Sequence, residues 1–105
     1  MRVYLCNAPS SHATILARTI VQEHLAACVN MIPGALSIYE WDSVIEEATE
    51  TVMIIKSSAD PKTLTARIIE LHPFETPEII CLKTDIPNSH QPYVEWVKQA
   101  SSTRT

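Results

Sequence analysis

The succession of hydrophobic patterns predicts an α+β fold: a ferredoxin-like β-α-β-β-α-β sandwich with a long β-hairpin and an extra C-terminal helix. Three observations predict it. Short apolar runs at residues 3–6, 52–55 and 79–82 alternate with segments of helical periodicity. Strict alternation from Ala35 to Trp41, followed by a return arm, gives a hairpin longer than a small sheet needs. Proline-bearing joints at Asp60-Pro61 and at residues 72–77 bracket the second helix. This order implies one antiparallel sheet with two helices on one face.

Val3, Tyr4, Leu5 and Cys6 form the first strand, which stops at Asn7-Ala8-Pro9. Ser10 and Ser11 offer N-caps, and Ala13, Leu16, Ala17, Ile20 and Val21 follow at helical spacing. That helix is expected to end between His24 and Ala27, with His24 in its last turn, where an imidazole suits the helix dipole. Residues 28–32 resume extended structure, and Pro33-Gly34 interrupts it as a turn or bulge. Beyond it Ala35, Ser37, Tyr39 and Trp41 share one face, with Leu36, Ile38 and Glu40 on the other. Asp42-Ser43 turns the chain and Val44-Ile45 begins the return arm. Val52-Met53-Ile54-Ile55 reads as a strand covered on both faces, so the hairpin occupies roughly residues 31–57.

Asp60 with Pro61 makes an N-cap followed by proline at the first helical position, and Leu64, Ile68 and Leu71 give that helix its buried stripe. Residues 79–82 form another buried strand. Asn88 and Pro92 introduce a last helix whose Tyr93, Trp96, Val97 and Ala100 fall at i, i+3, i+4 and i+7, the two aromatics serving as core anchors. Residues 101–105 are polar and are expected to fray.

The chain has 105 residues, 46% of them hydrophobic and 19% charged, which fits one globular domain over residues 1–105. Gly34 is the only glycine, so no glycine-rich phosphate cradle is present. The net charge is −4 and the basic residues are scattered; nucleic acid is not an expected partner. No apolar run approaches the roughly 20 residues that span a bilayer, and the opening Met1-Arg2-Val3-Tyr4-Leu5-Cys6 does not resemble a signal peptide. Three cysteines, an odd count without a CxxC pair, suit a reduced, intracellular setting.

The joint His72-Pro73-Phe74-Glu75-Thr76-Pro77-Glu78 is stiffened by its prolines and carries an imidazole and two carboxylates, as a binding site would; its plain structural role is a rigid connector with solvated charges. The hairpin overhangs a small sheet and presents aromatics and unpaired strand edges, so an oligomer is expected. Lys56 at the end of a buried strand, Tyr39 and Trp41 on one hairpin face, and His72 and Glu75 from the joint are candidates to line a cleft between subunits for an anion or metabolite. The plainer roles are interface packing for the aromatics and a glutamate partner for Lys56. Glu46, Glu47 and Glu50 read as a solvated acidic face.

Five ordered segments then combine: Leu25-Ala26-Ala27-Cys28-Val29-Asn30, Ser37-Ile38-Tyr39-Glu40-Trp41, Ile54-Ile55-Lys56-Ser57, the joint itself, and Tyr93-Val94-Glu95-Trp96. Over residues 3–96 this set resembles the CutA family of divalent-cation tolerance proteins. The resemblance implies a PII-like homotrimer in which hairpins complete neighbouring sheets, a cytoplasmic setting, and a link to copper and other divalent cations. It carries over Cys6, His72 and Glu78 as metal ligands, a sulfur, nitrogen and oxygen set suited to copper or zinc. This chain has Asp42-Ser43 where the family commonly has Glu-Gly, and Leu71 where some members have histidine. No catalytic constellation is expected: an acylphosphatase-type anion loop is absent, and a Cys6–His72 nucleophile pair lacks an oxyanion element. Three functions follow as alternatives: metal-ion tolerance with copper bound, PII-like sensing of a small molecule, and a scaffold trimer that presents surfaces to a partner.

Overall fold

The computed structural model of the protein describes residues 1–102. Strand β1 (Arg2–Ala8) leads into helix α1 (Ser10–Gln22), hairpin strands β2 (Cys28–Trp41) and β3 (Val44–Ser57), helix α2 (Pro61–Leu71), strand β4 (Ile79–Lys83), a short 3-10 turn (Ile86–Asn88) and helix α3 (Gln91–Ser101). The strands form one antiparallel sheet in the order β2-β3-β1-β4. At about 3.3 Å per residue a 14-residue strand reaches about 46 Å, and the molecule's longest dimension, 45 Å, is set by the hairpin.

Alternation decides what each face buries. Tyr4, Cys6 and Ala8 of β1 and Met53 and Ile55 of β3 point to one side, where Leu16, Ala17 and Ile20 of α1 and Leu64 and Ile68 of α2 close over them. Each large aliphatic side chain so enclosed contributes about 1.5–3 kcal/mol relative to exposure. The hydroxyl of Tyr4 is the cost of this packing: among the described residues no group lies at hydrogen-bonding distance from it, and its pKa is raised chiefly by desolvation, with the nearby Cys81 thiol adding in the same direction.

The ends of the elements follow local chemistry. The Asp60 carboxylate accepts the Thr63 backbone N–H at 3.0 Å and caps α2. Ser10 and Ser11 do not cap α1; Pro9 takes that position, and the Ser10 hydroxyl instead meets Thr51 Oγ1 at 2.9 Å. Helix α1 ends at Gln22, before His24, which adopts φ +61°. The Leu25 N–H returns to the Ile20 carbonyl and the His24 N–H to that of Val21, a Schellman stop with histidine where glycine is usual. Glu23, just past the helix, takes a forked ion pair from Arg67 of α2 at 2.8 and 2.9 Å.

The hairpin contains two departures from regular strand. Ile32 pairs with Val52 and Ala35 with Glu50, so Pro33 and Gly34 together oppose Thr51 in a bulge. Gly34 has φ +78°, which glycine adopts without strain. At the tip, Trp41 pairs with Val44 across the two-residue turn Asp42-Ser43, both with positive φ (50° and 65°), the signature of a type I′ turn.

Three packing expectations are corrected. β4 is an edge strand, and Ile80 and Leu82 stand half exposed on the face away from the helices. Val52 and Ile54 on that same face are only partly covered. Tyr93 and Trp96 stack on each other at 5.7 Å but remain half exposed; Val97 anchors α3 instead. Ser101 does not fray. It is fully buried in α3, accepts the Ser58 N–H at 2.8 Å and donates to the Val97 carbonyl. Residues 103–105 of the expected tail lie outside the described residues.

Candidate functional site

The face of the sheet opposite α1 and α2 carries a groove of about 950 Å³ at its hairpin end. Strand register builds it. Counting back from the turn, Tyr39 pairs with Glu46, Ser37 with Ala48 and Ala35 with Glu50, which puts Tyr39, Trp41, Glu46 and Glu50 on one face. Ser37 and Ala48 are small, and they leave open space between the larger pairs. Pro73, Phe74, Glu75 and Thr76 of the joint form the opposing wall, and Asn7, Glu50 and Glu78 belong to the floor. Among the described residues no lysine, arginine or histidine lines the groove, so an anion finds no counter-charge among them.

The joint is held in place by His72. Its ring is nearly buried, Nε2 donates to the Asn7 carbonyl at 2.7 Å, and Nδ1 accepts the Phe74 N–H at 3.1 Å. These bonds assign the proton to Nε2 and occupy both nitrogens. The Phe74 ring then lies 5.0 Å from the imidazole. His72 is thus a latch that fixes the groove wall rather than a free ligand.

Cys6 lies beneath the floor, on the core side of β1. Burial pushes its thiol up to about 12, with the carboxylates of Glu78 and Glu50 adding in the same direction. A thiol held so far from ionisation is not an activated nucleophile. Glu78 itself is exposed. Among the described residues no group of three or more His, Cys, Asp or Glu side chains is placed to hold a metal ion. Cys6, His72 and Glu78 do come from one end of the sheet, but the core encloses the first and the latch occupies the second.

The cleft candidates divide. Tyr39, Trp41 and Glu75 line the groove, and His72 supports it from behind. Lys56 pairs with Val3 and Cys28, ten residues along β3 from Glu46, or about 34 Å; within one chain it lies at the far end of the sheet. Glu46, Glu50, Asn7 and Phe74 were not expected in the site. Glu50 was recoverable by counting register back from Asp42-Ser43, because the turn fixes every cross-strand pair up to the bulge.

A β-α-β-β-α-β sheet with an overhanging hairpin and a groove on its open face defines a PII-like module. Comparison with a solved structure agrees: the PII-like protein CutA from Nostoc sp. PCC 7120 in apo form superposes with a TM-score of 0.91 at 36% identity, covering 96% of this chain and 97% of that one. The chain belongs to the CutA family: the model for the CutA1 divalent ion tolerance protein matches residues 2–100. The divalent-cation tolerance protein CutA of Thermus thermophilus is 38% identical over 100 residues, 92% of this chain and 94% of that one. Human protein CutA is 42% identical over 89 residues, 84% of this chain, and the match spans about half (49%) of the human protein's length. Among the described residues, no helix is long and apolar enough to cross a membrane.

Proposed function

We propose that this chain acts in the cytoplasm as a PII-like homotrimer of the divalent-cation response, with the groove between hairpin and joint as its ligand site. The overhanging hairpin carries the assembly reading. Leu36, Ile38, Tyr39, Trp41, Val44 and Ile45 are all roughly half exposed or more, and β2 is an open edge. A second copy covers both. The half-exposed Ile80 and Leu82 on the open face of the sheet support the same conclusion.

Copper is the first cation to test, because it heads the affinity order of divalent ions. The latch on His72 and the enclosure of Cys6 favour a response in which the groove's ligand, rather than a copper ion on those two residues, carries the signal. The module acts by binding and not by catalysis.

Light scattering at micromolar concentration tests the assembly, with three chains expected; a monomer overturns it. Isothermal titration with cupric chloride tests the metal reading. Unchanged affinity in Cys6→Ser and His72→Ala is the expected result, and loss of binding in both variants restores the direct copper site.

A further inference from the structure

Tyr4 is fully buried, yet its hydroxyl has no hydrogen-bond partner among the described residues. Buried polar atoms in folded proteins are ordinarily paired, so such an orphan marks a place where a partner is missing. Tyr4 stands directly opposite Cys81 in the β1–β4 ladder, and cross-strand partners share one face with their Cβ atoms about 5 Å apart. Desolvation pushes the Tyr4 hydroxyl up, and the Cys81 thiol beside it adds in the same direction. The helices close over Tyr4 but leave Cys81, on the edge strand, exposed. A solvent-facing sulfur therefore sits beside a buried donor that lacks an acceptor.

The adjoining pair supplies charge. Arg2 stands opposite Lys83, two residues along each strand from Tyr4 and Cys81, which puts both cations on the same face about 7 Å from that pair. Arg2 acts on Tyr4 electrostatically and Asp60 opposes it, but the Asp60 carboxylate is engaged with Thr63 at the cap of α2. Exposed, electropositive surroundings favour a thiolate. A metal ion fits less well, because it would meet one sulfur between two cations, and among the described residues no group of three or more His, Cys, Asp or Glu is placed to hold one. Other thiols are out of reach. Cys6, opposite Ile79, is a diagonal neighbour at about 7–8 Å, too far for a disulfide without backbone movement, and its raised pKa keeps it protonated. Cys28 lies on the other edge strand, three strand spacings or about 14 Å across the sheet.

We propose that Cys81 is a site of oxidation by hydroperoxides, retained as a sulfenic acid whose oxygen accepts the Tyr4 hydroxyl. With hydrogen peroxide, the thiol releases its proton, the thiolate sulfur attacks one peroxide oxygen, and an S–O bond forms as the O–O bond breaks. Sulfur gives up two electrons to the peroxide, and the displaced hydroxide takes up a proton and leaves as water. The new oxygen is the acceptor that Tyr4 lacks, and the distance to Cys6 keeps the sulfenic acid from condensing to a disulfide. Cys81 alternates with Ile80 and Leu82 along β4, so an assembly that covers those two acts on the opposite face of the sheet.

The test exposes the full chain, in the assembly it forms, to hydrogen peroxide at neutral pH, removes the peroxide and then adds dimedone, which captures surviving sulfenic acid. Peptide mass mapping reads which cysteine carries the adduct. Cys81 is expected to be labelled at least about tenfold more than Cys28, with Cys6 unlabelled and the preference lost in urea. Tyr4→Phe is expected to lower the Cys81 yield about two- to tenfold, the worth of one hydrogen bond, with a melting curve to show that it is folded. Lys83→Gln, at an exposed position, is expected to slow the oxidation several-fold. Equal labelling of Cys28 and Cys81, an unchanged yield in folded Tyr4→Phe, an unchanged rate in Lys83→Gln, or a Cys6–Cys81 disulfide in place of the adduct overturns the inference.

Discussion

Replacing His72 by alanine tests whether this residue is a latch or a ligand. The change removes the acceptor for the Phe74 N–H and the donor to the Asn7 carbonyl. Buried polar groups left unpaired cost about 1–3 kcal/mol each. Both partner residues are partly exposed, so water replaces some of each bond and the low end, about 1 kcal/mol apiece, applies. The lost packing of a nearly buried ring adds about 1 kcal/mol. The total, about 3 kcal/mol, raises the unfolding constant roughly hundredfold. Urea denaturation of wild type and variant at equal chain concentration, in EDTA, measures it. Hydrogen exchange at the Phe74 amide supplies the local readout, with protection lost in the variant. A variant as stable as wild type in EDTA, and less stable only when copper is present, refutes the latch and makes His72 a metal ligand.

Three other outcomes follow from the same structure. Ser43→Gly removes a positive-φ penalty at the hairpin tip and is expected to stabilise the chain by about 1 kcal/mol, with Ser43→Val moving the other way, both read by thermal melts. Cys6 resists iodoacetamide until the protein unfolds, as peptide mass mapping will show. Because its folded pKa is raised to about 12, its contribution to stability is complete below the unfolded thiol's range near pH 8.5 and is lost as pH rises toward 12, at no more than about 1.4 kcal/mol per pH unit; a Cys6→Ala variant with the same alkaline stability profile as wild type refutes this. Tyr4→Phe removes an unpartnered buried hydroxyl and is expected to be neutral or stabilising by up to about 1 kcal/mol in urea denaturation; a loss above 1 kcal/mol means the hydroxyl has a partner.

Features set by neighbours in the chain were legible before any coordinates. Asp60-Pro61 starts α2 as expected, Leu64 and Ile68 form its buried stripe, and Asp42-Ser43 turns the hairpin. Features set by distant contacts were not. Glu50 shares a groove with Pro73, Phe74, Glu75 and Thr76 of the joint, and in sequence it looks like its solvated neighbour Glu47. The role of His72 depends on a carbonyl 65 residues away. The end of α1 was misplaced because no glycine marks it; the left-handed residue is a histidine. β4 has the composition of a central strand and lies at an edge, which its sequence does not distinguish.

The bulge at Pro33-Gly34 determines which residues the groove contains. Before it, the even-numbered Ile32 of β2 shares a face with Val52; after it, the odd-numbered Ala35 shares that face with Glu50. The extra residue therefore inverts the phase of the strand from there to the tip. If Pro33 and Gly34 were instead both taken up in a regular pleat, the faces would swap, sending Tyr39 and Trp41 to the opposite side and turning Leu36 and Glu40 toward the groove; deleting Gly34 leaves Pro33 alone opposite Thr51 and keeps the faces as they are. The chain's one glycine is not among the groove's lining residues, yet the bulge its positive φ permits lets a strand one residue too long keep its aromatic face on the groove side.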